Sequence, residues 1–173
     1  MQMKISQVAG KGTSLIRHAI WVAVVLVVAR TWAVVSPPQV AYDRYFDAAT
    51  FAVEAVSSGD TVAYTLLLTY DEGSIRVPQG STLTIHLRDR STIVLASDRE
   101  VARRDITMRR WRNHTIRYVT CHYPITASQL ARIQDKDAYR LVIETARGPI
   151  TRQLRGFNRR LVNALQAISH APL

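Results

Sequence analysis

The sequence predicts an α+β fold that is mainly β: an antiparallel sheet of hairpins, a short connector helix and a C-terminal amphipathic helix, preceded by an N-terminal apolar export segment. Three observations predict it. An unbroken apolar run, Ala19 to Ala29, follows Lys4, Lys11 and Arg17 with no acid before it. Several runs rich in β-branched and aromatic residues, separated by short polar turns, fill the middle of the chain. A single stripe of Leu161, Val162, Leu165 and Ile168 closes it at helical spacing. At 173 residues with 47% hydrophobic and 21% charged content, the chain suits one ordinary domain plus a small addition, and is too apolar for a disordered polyelectrolyte. A single cysteine excludes an internal disulfide framework and a multi-cysteine zinc site.

The apolar run is 11 residues, the length of a signal-peptide core, whereas a spanning helix needs about 20. Thr31-Trp32-Ala33 offers small residues to a signal peptidase, so the expected division is a signal peptide or signal anchor over 1–33, a linker over 34–48 and a single β-rich domain over 49–173. Length favours cleavage after Ala33. The alternative is membrane contact through residues 15–35 as an uncleaved anchor, with Arg17 and Arg30 snorkelling to the two interfaces. In both cases the N-terminal bases hold the start of the chain in the cytoplasm and send the domain to the periplasm or cell envelope. Gly10-Lys11-Gly12 lacks the spacing of a phosphate-binding loop and no strand precedes it.

The strands follow in order. Thr50–Val56 and Thr61–Tyr70, joined by Ser57-Ser58-Gly59-Asp60, read as one hairpin. Thr82–Arg88, with Leu83, Ile85 and Leu87 on one face and Thr84, His86 and Arg88 on the other, pairs with Ile93–Ala96 as a second. Asp98–Asn113 is polar and Arg-rich, and His114–Tyr123 is long enough for a central strand. Thr126-Ala-Ser-Gln129 has the form of a capping box opening a short helix to about Gln134. Ala138–Thr145 alternates again, Tyr139, Leu141 and Ile143 against Arg140, Val142 and Glu144. Ile150–Leu154 fits strand or helix and is assigned as strand. Asn158 is the expected cap of the final helix.

The stretches Val77-Pro-Gln-Gly-Ser-Thr-Leu-Thr-Ile-His-Leu-Arg-Asp89, Ile93-Val-Leu95, Tyr123-Pro-Ile-Thr-Ala-Ser-Gln-Leu130 and Arg140-Leu-Val-Ile-Glu-Thr145, with the terminal helix, resemble a loose family of small exported β-rich proteins of unknown function from Gram-negative gut and oral anaerobes. The resemblance covers most of residues 77–168. It implies an export signal and a small antiparallel sheet closed by a C-terminal helix, and it implies no activity. The chain departs from that pattern in being Arg-rich rather than Lys-rich, and in carrying Asp89-Arg90 where an Asp-Gly turn is usual.

The formal charge is +10. Four of the 23 bases (Lys4, Lys11, Arg17, Arg30) and no acid lie in the first 40 residues, so the exported part remains basic, and all its bases but Lys136 are arginines able to grip carboxylate or phosphate bidentately. The largest concentration is Arg99–Arg117, seven arginines against Glu100 and Asp105 with Trp111 among them. Clustered guanidinium groups beside an aromatic bind polyanions through charge and stacking. Arg103, Arg104, Arg109, Arg110, Trp111 and Arg112 are therefore the candidate anion-binding residues. Arg159 and Arg160 join them, because they oppose the dipole in the first turn of the last helix.

Catalytic candidates do not assemble. Cys121 and His122 are adjacent and on a strand face opposite ways, so Cys121 reads as core alongside Val119 and Tyr123. His114 and His122 share a face but lie roughly 27 Å apart on an extended strand, too far to share a metal. Asp71-Glu72 and Asp135/Asp137 read as solvated turns. Asp43 and Asp47 among Tyr42, Tyr45 and Phe46 offer a small polar-aromatic surface, and Asn113-His114-Thr115 matches a glycosylation acceptor.

The expected function is a non-catalytic binding or scaffolding module of the cell envelope with a basic surface. Its expected partner is an anionic component, lipid phosphate or acidic glycan, or an envelope protein, with no cofactor, no metal and no nucleic acid. The alternatives are a membrane-anchored subunit of an envelope assembly, and a small periplasmic enzyme whose residues meet only in the fold, through His86 with His114 or His122.

Overall fold

The structure, a computed structural model, describes residues 31–44, 47–70, 76–101, 105–111 and 114–170. Among these are ten strands: β1 Thr31–Val35, β2 Gln39–Arg44, β3 Asp47–Ser58, β4 Thr61–Tyr70, β5 Thr82–Leu87, β6 Thr92–Ala96, β7 Ile106–Trp111, β8 His114–Ile125, β9 Ala138–Thr145 and β10 Gly148–Gln153. Two helices accompany them, α1 Ala127–Lys136 and α2 Phe157–Ser169. The apolar run of residues 19–29 lies outside the described residues, whereas residues 31–35, expected as the last part of a membrane-contacting segment over 15–35, form β1, because backbone pairing with the edge of β3 claims them for the sheet. Among those described, no helix is long and apolar enough to cross a membrane.

Two antiparallel sheets result. The broad one runs β3-β4-β8-β7, with β1 and β2 both paired to β3; the narrow one runs β10-β9-β5-β6. β4 already occupies Ala49–Ser58 of β3, so β1 and β2 follow one another along its opposite edge. Ser36-Pro37-Pro38 breaks that edge, because neither proline has an amide hydrogen to give the ladder. The buried Ser36 spans the break: its N–H donates to Val53 O at 2.9 Å, and its Oγ accepts from Val53 N–H at 3.0 Å. Residues 34–48, expected as a linker, thus supply sheet strands. Their polarity gave no alternation to read, and the backbone pairing with β3 decides their conformation.

The inner faces of both sheets share one core with the helices. Phe51, Val53, Leu66, Leu68, Val119 and Tyr123 face Leu83, Ile85, Leu141 and Ile143, with Leu130, Ile133, Phe157 and Leu161 closing it. The two expected hairpins form as β3-β4 and β5-β6, and β8 lies between β4 and β7 as a central strand. β8 runs through Pro124 to Ile125 rather than stopping before the proline. Here the carbonyl of His122 accepts from Asp98 N–H on the side away from β4, and residues two apart point the same way. The donor that Pro124 lacks therefore falls where β7 has already ended, opposite Val119.

Four local expectations are corrected. Asp98–Asn113, which offered no strand pattern, contains β7, an edge strand made by pairing with β8 from Ile106↔Val119 to Trp111↔His114. Tyr139 is not in the buried row of β9. A bulge at His86/Leu87 places Ala138 opposite Leu87, so Ala138 takes the buried place and Tyr139 stays half-buried. The connector helix extends to Lys136, and its Thr126/Gln129 capping box is formed in both directions. The last helix is capped not by Asn158 but by Gly156, whose φ of +62° favours glycine; Asn158 sits inside the helix and donates through Nδ2 to Gln134 O, tying α2 to α1. Ile150 belongs to a strand, as assigned, because it pairs with Ile143. The Asp89-Arg90 turn holds Arg90 at φ +69°, with Asp89 Oδ1 accepting from the N–H and Oγ of Ser91.

Candidate functional site

The sequence-predicted basic residues divide among three places. Arg103, Arg104 and Arg112 lie outside the described residues, as do Asp71-Glu72, Tyr45, Phe46 and Asn113. Arg109, Arg110 and Trp111 belong to β7, registered opposite Ile116, Thr115 and His114 of β8. β7 and the start of β8 therefore form one antiparallel pair at the sheet edge, and the sequence from Ile106 to Arg117 carries four arginines and no acid. Arg159 and Arg160 are elsewhere. α2 packs beside β2, and Arg160 donates to Val40 O at 2.7 Å, so this pair stands at the opposite edge of the broad sheet from β7, with β3, β4 and β8 between. Arg160 there has a backbone partner that accounts for a base in the first turn.

A clasp that the sequence did not reveal holds the root of the basic hairpin. Asp105, almost completely buried, lies with its Oδ1 3.3 Å from the Arg99 guanidinium and 3.4 Å from His122 Nε2, while Arg99 also contacts that same imidazole nitrogen. Arg99, Asp105 and His122 come from a loop, a turn and β8, and together pin both ends of segment 99–105 across the strand. The only signal in the sequence was Asp105 as one of two acids among arginines, which by itself has no position.

His86 stands on the outward face of the narrow sheet, as its alternation predicted. Arg140 approaches both ring nitrogens at 3.3 Å and lies 5.7 Å from the Tyr139 ring centre. Desolvation, with the Arg140 charge second, holds the pKa of His86 below its ordinary value. The neutral imidazole can then accept from Arg140, so the cross-strand pair is not two cations. His86 and His122 belong to outward faces of different sheets, and no group of three or more His, Cys, Asp or Glu forms a metal-holding cluster among the described residues.

Cys121 is buried on the inner face, two residues from Val119 on one side and from Tyr123 on the other. Burial, with the Asp105 charge second, pushes its thiol pKa up to about 12. A thiol of that acidity is almost wholly protonated at neutral pH and is no nucleophile.

One cavity of about 400 Å³ opens at the end of the broad sheet away from the basic hairpin. Its walls are Trp32 of β1, Ala55 of β3, Val62 and Tyr64 of β4, one side of α1 (Ala127, Leu130, Ala131, Gln134) and the C-terminal part of α2 (Leu165, Ile168, Ser169). No lining side chain is charged. The sequence gave Trp32 a different part, as a neighbour of a peptidase site, and only the pairing of β1 with β3 brings it to the β3-β4 turn. Compared with known proteins, the chain matches no family model, no curated protein and no solved structure.

Proposed function

We propose that the protein is a non-catalytic binding module of the cell envelope that engages an anionic partner through the β7-β8 hairpin. The observation that carries this reading is the hairpin itself: Arg109, Arg110 and Trp111 on the edge strand β7 and Arg117 on β8 beside it, with Arg112 between them in the sequence and the root held by Arg99, Asp105 and His122. Contacts that hold the ends of a binding segment reduce the ordering cost of binding. The bland role of such charge is to keep a sheet edge from pairing with other chains, and the two are separated by binding.

The register bears on where an anion bound at the hairpin would sit. Tyr64 of β4 pairs with Ile125, so the β3-β4 turn and Trp32 lie at the Ile125 end of β8, whereas the hairpin tip begins at His114. These ends of β8 are roughly 36 Å apart by strand rise. An anion at the tip is therefore held away from the point where the apolar segment enters the domain. The test is binding of the full chain to a soluble polyuronic acid and to vesicles with anionic lipid, over a salt series. The Arg109→Gln/Arg110→Gln/Arg112→Gln variant is expected to bind about 100-fold more weakly, at about 1 kcal/mol per lost contact. Binding indifferent to salt, or unchanged in the variant, overturns the reading.

A specific observation also favours a retained anchor. The expected cleavage point, Ala33, is the middle residue of β1, and Trp32 and Val34 on either side of it are half-buried against the domain. A cut there removes a wall of the cavity and most of an edge strand. The mature protein in the membrane fraction of its native cells is expected to begin at Met1 or Gln2 by intact mass. A start near Val34 in a released protein overturns this second reading.

A further inference from the structure

We infer that the outer edge of β7 takes an extended acidic segment of a partner protein, which adds to the broad sheet as one more strand. The inference rests on the anionic-partner reading given above and names the class of that partner. Its first support is the set of backbone groups that β7 leaves open. The carbonyl of His122 faces away from β4, and residues two apart on a strand point the same way, so Tyr118, Ile116 and His114 turn their backbone groups toward β7. Their partners there are Thr107, Arg109 and Trp111. Ile106, Met108 and Arg110 alternate with these and therefore present their N–H and C=O groups at the outer edge, where no strand pairs with them among the described residues. Met108, in the middle of the three, is 69% exposed.

These open groups repeat at every second residue, roughly 6.8 Å apart. That is the spacing of donors and acceptors along another peptide strand, whose main chain gives affinity when it is added to a sheet edge. A polyuronate has no amide donor to repeat at that step, and a lipid headgroup has no repeat at all.

Charge is the second support. β7 places Arg109 and Arg110 within six residues, and no acid lies between Ile106 and Arg117. The nearest acid, Asp105, is buried and engaged by Arg99 and His122. Opposite charges across neighbouring strands stabilise a pair and like charges destabilise it, so the arginines admit an acidic strand and reject a basic one. A second copy of β7 brings two more arginines and no acid, which sets self-pairing along this edge at a disadvantage.

The experiment titrates the full chain, by fluorescence anisotropy, with a fluorescein-labelled eight-residue peptide of glutamate and valine, and with the same peptide N-methylated at every backbone amide. The second has the same charge and no main-chain donor. It is expected to bind about 100-fold more weakly, through the loss of about three hydrogen bonds. With the first peptide bound, amide hydrogen exchange is expected to slow at Met108 and Arg110 and to stay as it was at Thr107 and Arg109, whose amides already face β8. Met108→Pro removes an N–H that faces the open edge, a position where a sheet tolerates proline, and is expected to weaken the peptide at least about 5-fold. Should that variant fail to fold, the N-methylated peptide and the exchange pattern decide. Equal binding of the two peptides, or exchange at Met108 and Arg110 unaltered by the bound peptide, overturns the inference and leaves an anionic partner held by charge alone. Binding of polyuronic acid without binding of the peptide does the same. Binding of neither overturns the anionic-partner reading, and the inference with it.

Discussion

Replacing Phe157 with alanine is expected to cost about 3–5 kcal/mol of folding stability. Phe157 is 1% exposed, opens α2, and stacks on Phe51 of β3 with ring centres 4.5 Å apart and planes tilted by 36°. Truncation leaves a ring-sized void where the helix meets both the sheet and, through Asn158 and Gln134, the other helix. Relaxation can close little of it, because strands on one side and a helix on the other are already held by backbone hydrogen bonds. Domains of this size have only about 5–15 kcal/mol in total, so the variant is expected to melt at a far lower urea midpoint. The control is Val94→Ala on the outward face of β6, 55% exposed, expected within about 0.5 kcal/mol of the parent. A Phe157→Ala loss below about 1 kcal/mol is incompatible with α2 closing the core. The α2 wall of the cavity, Leu165 and Ile168, depends on the same docking, so this variant is also expected to lose any ligand of that cavity.

Stability is also expected to fall steeply in alkali. Burial raises the thiol of Cys121 from 9.0 to about 12, and burial likewise raises the phenol of Tyr123 above its ordinary 10.0. Both groups are neutral when protonated, and the folded protein holds their protons more tightly than the unfolded chain does. Their contribution is therefore complete below pH 9 and is withdrawn as pH rises from about 9 toward about 12, at about 1.4 kcal/mol per pH unit for each group once its unfolded pKa is passed. Urea unfolding at pH 8, 9, 10 and 11 measures this directly. The Cys121→Ala variant is expected to lose the part of the slope that begins at pH 9 and keep the part that begins above pH 10. A parent whose stability is flat from pH 8 to 10.5 contradicts a buried, protonated thiol in the core.

The same burial explains why Cys121-His122 has the look of a catalytic pair in the sequence and none in the fold. Alternation along β8 turns Cys121 into the core and leaves His122 on the other side of the sheet, where Asp105 and Arg99 occupy it. That alternation was legible, since it needs only the assignment of a strand. The partners of His122 were not, because they come from a loop and a turn whose path depends on where β7 ends. Arg109, Arg110 and Trp111 were singled out as a basic run, and the fold gathers them with Arg117 on one hairpin. It sends Arg159 and Arg160 to the far edge of the sheet beside β2, a separation that charge counting has no means to detect.

By itself the sequence determined the mainly β class, the β3-β4 and β5-β6 hairpins, the capped connector helix, the strand at Ile150 and the buried face of the last helix. Each of these is set by residues within a dozen positions of one another: alternation, turn residues, a capping pair, a helical stripe. Only the tertiary structure decided what long-range pairing controls. β1 and β2 are strands because β3 offers a free edge, and β7 is a strand because β8 does. Gly156 displaces Asn158 as a cap because α2 must start where it can dock on Phe51, and the bulge opposite His86 moves Tyr139 out of the buried row. The cavity is the extreme case, assembled from β1, a hairpin end and two helices that together span more than a hundred residues of the chain. Local propensity says nothing of such a meeting, because the free energy that fixes it is the burial of surfaces that become neighbours only when the sheets close.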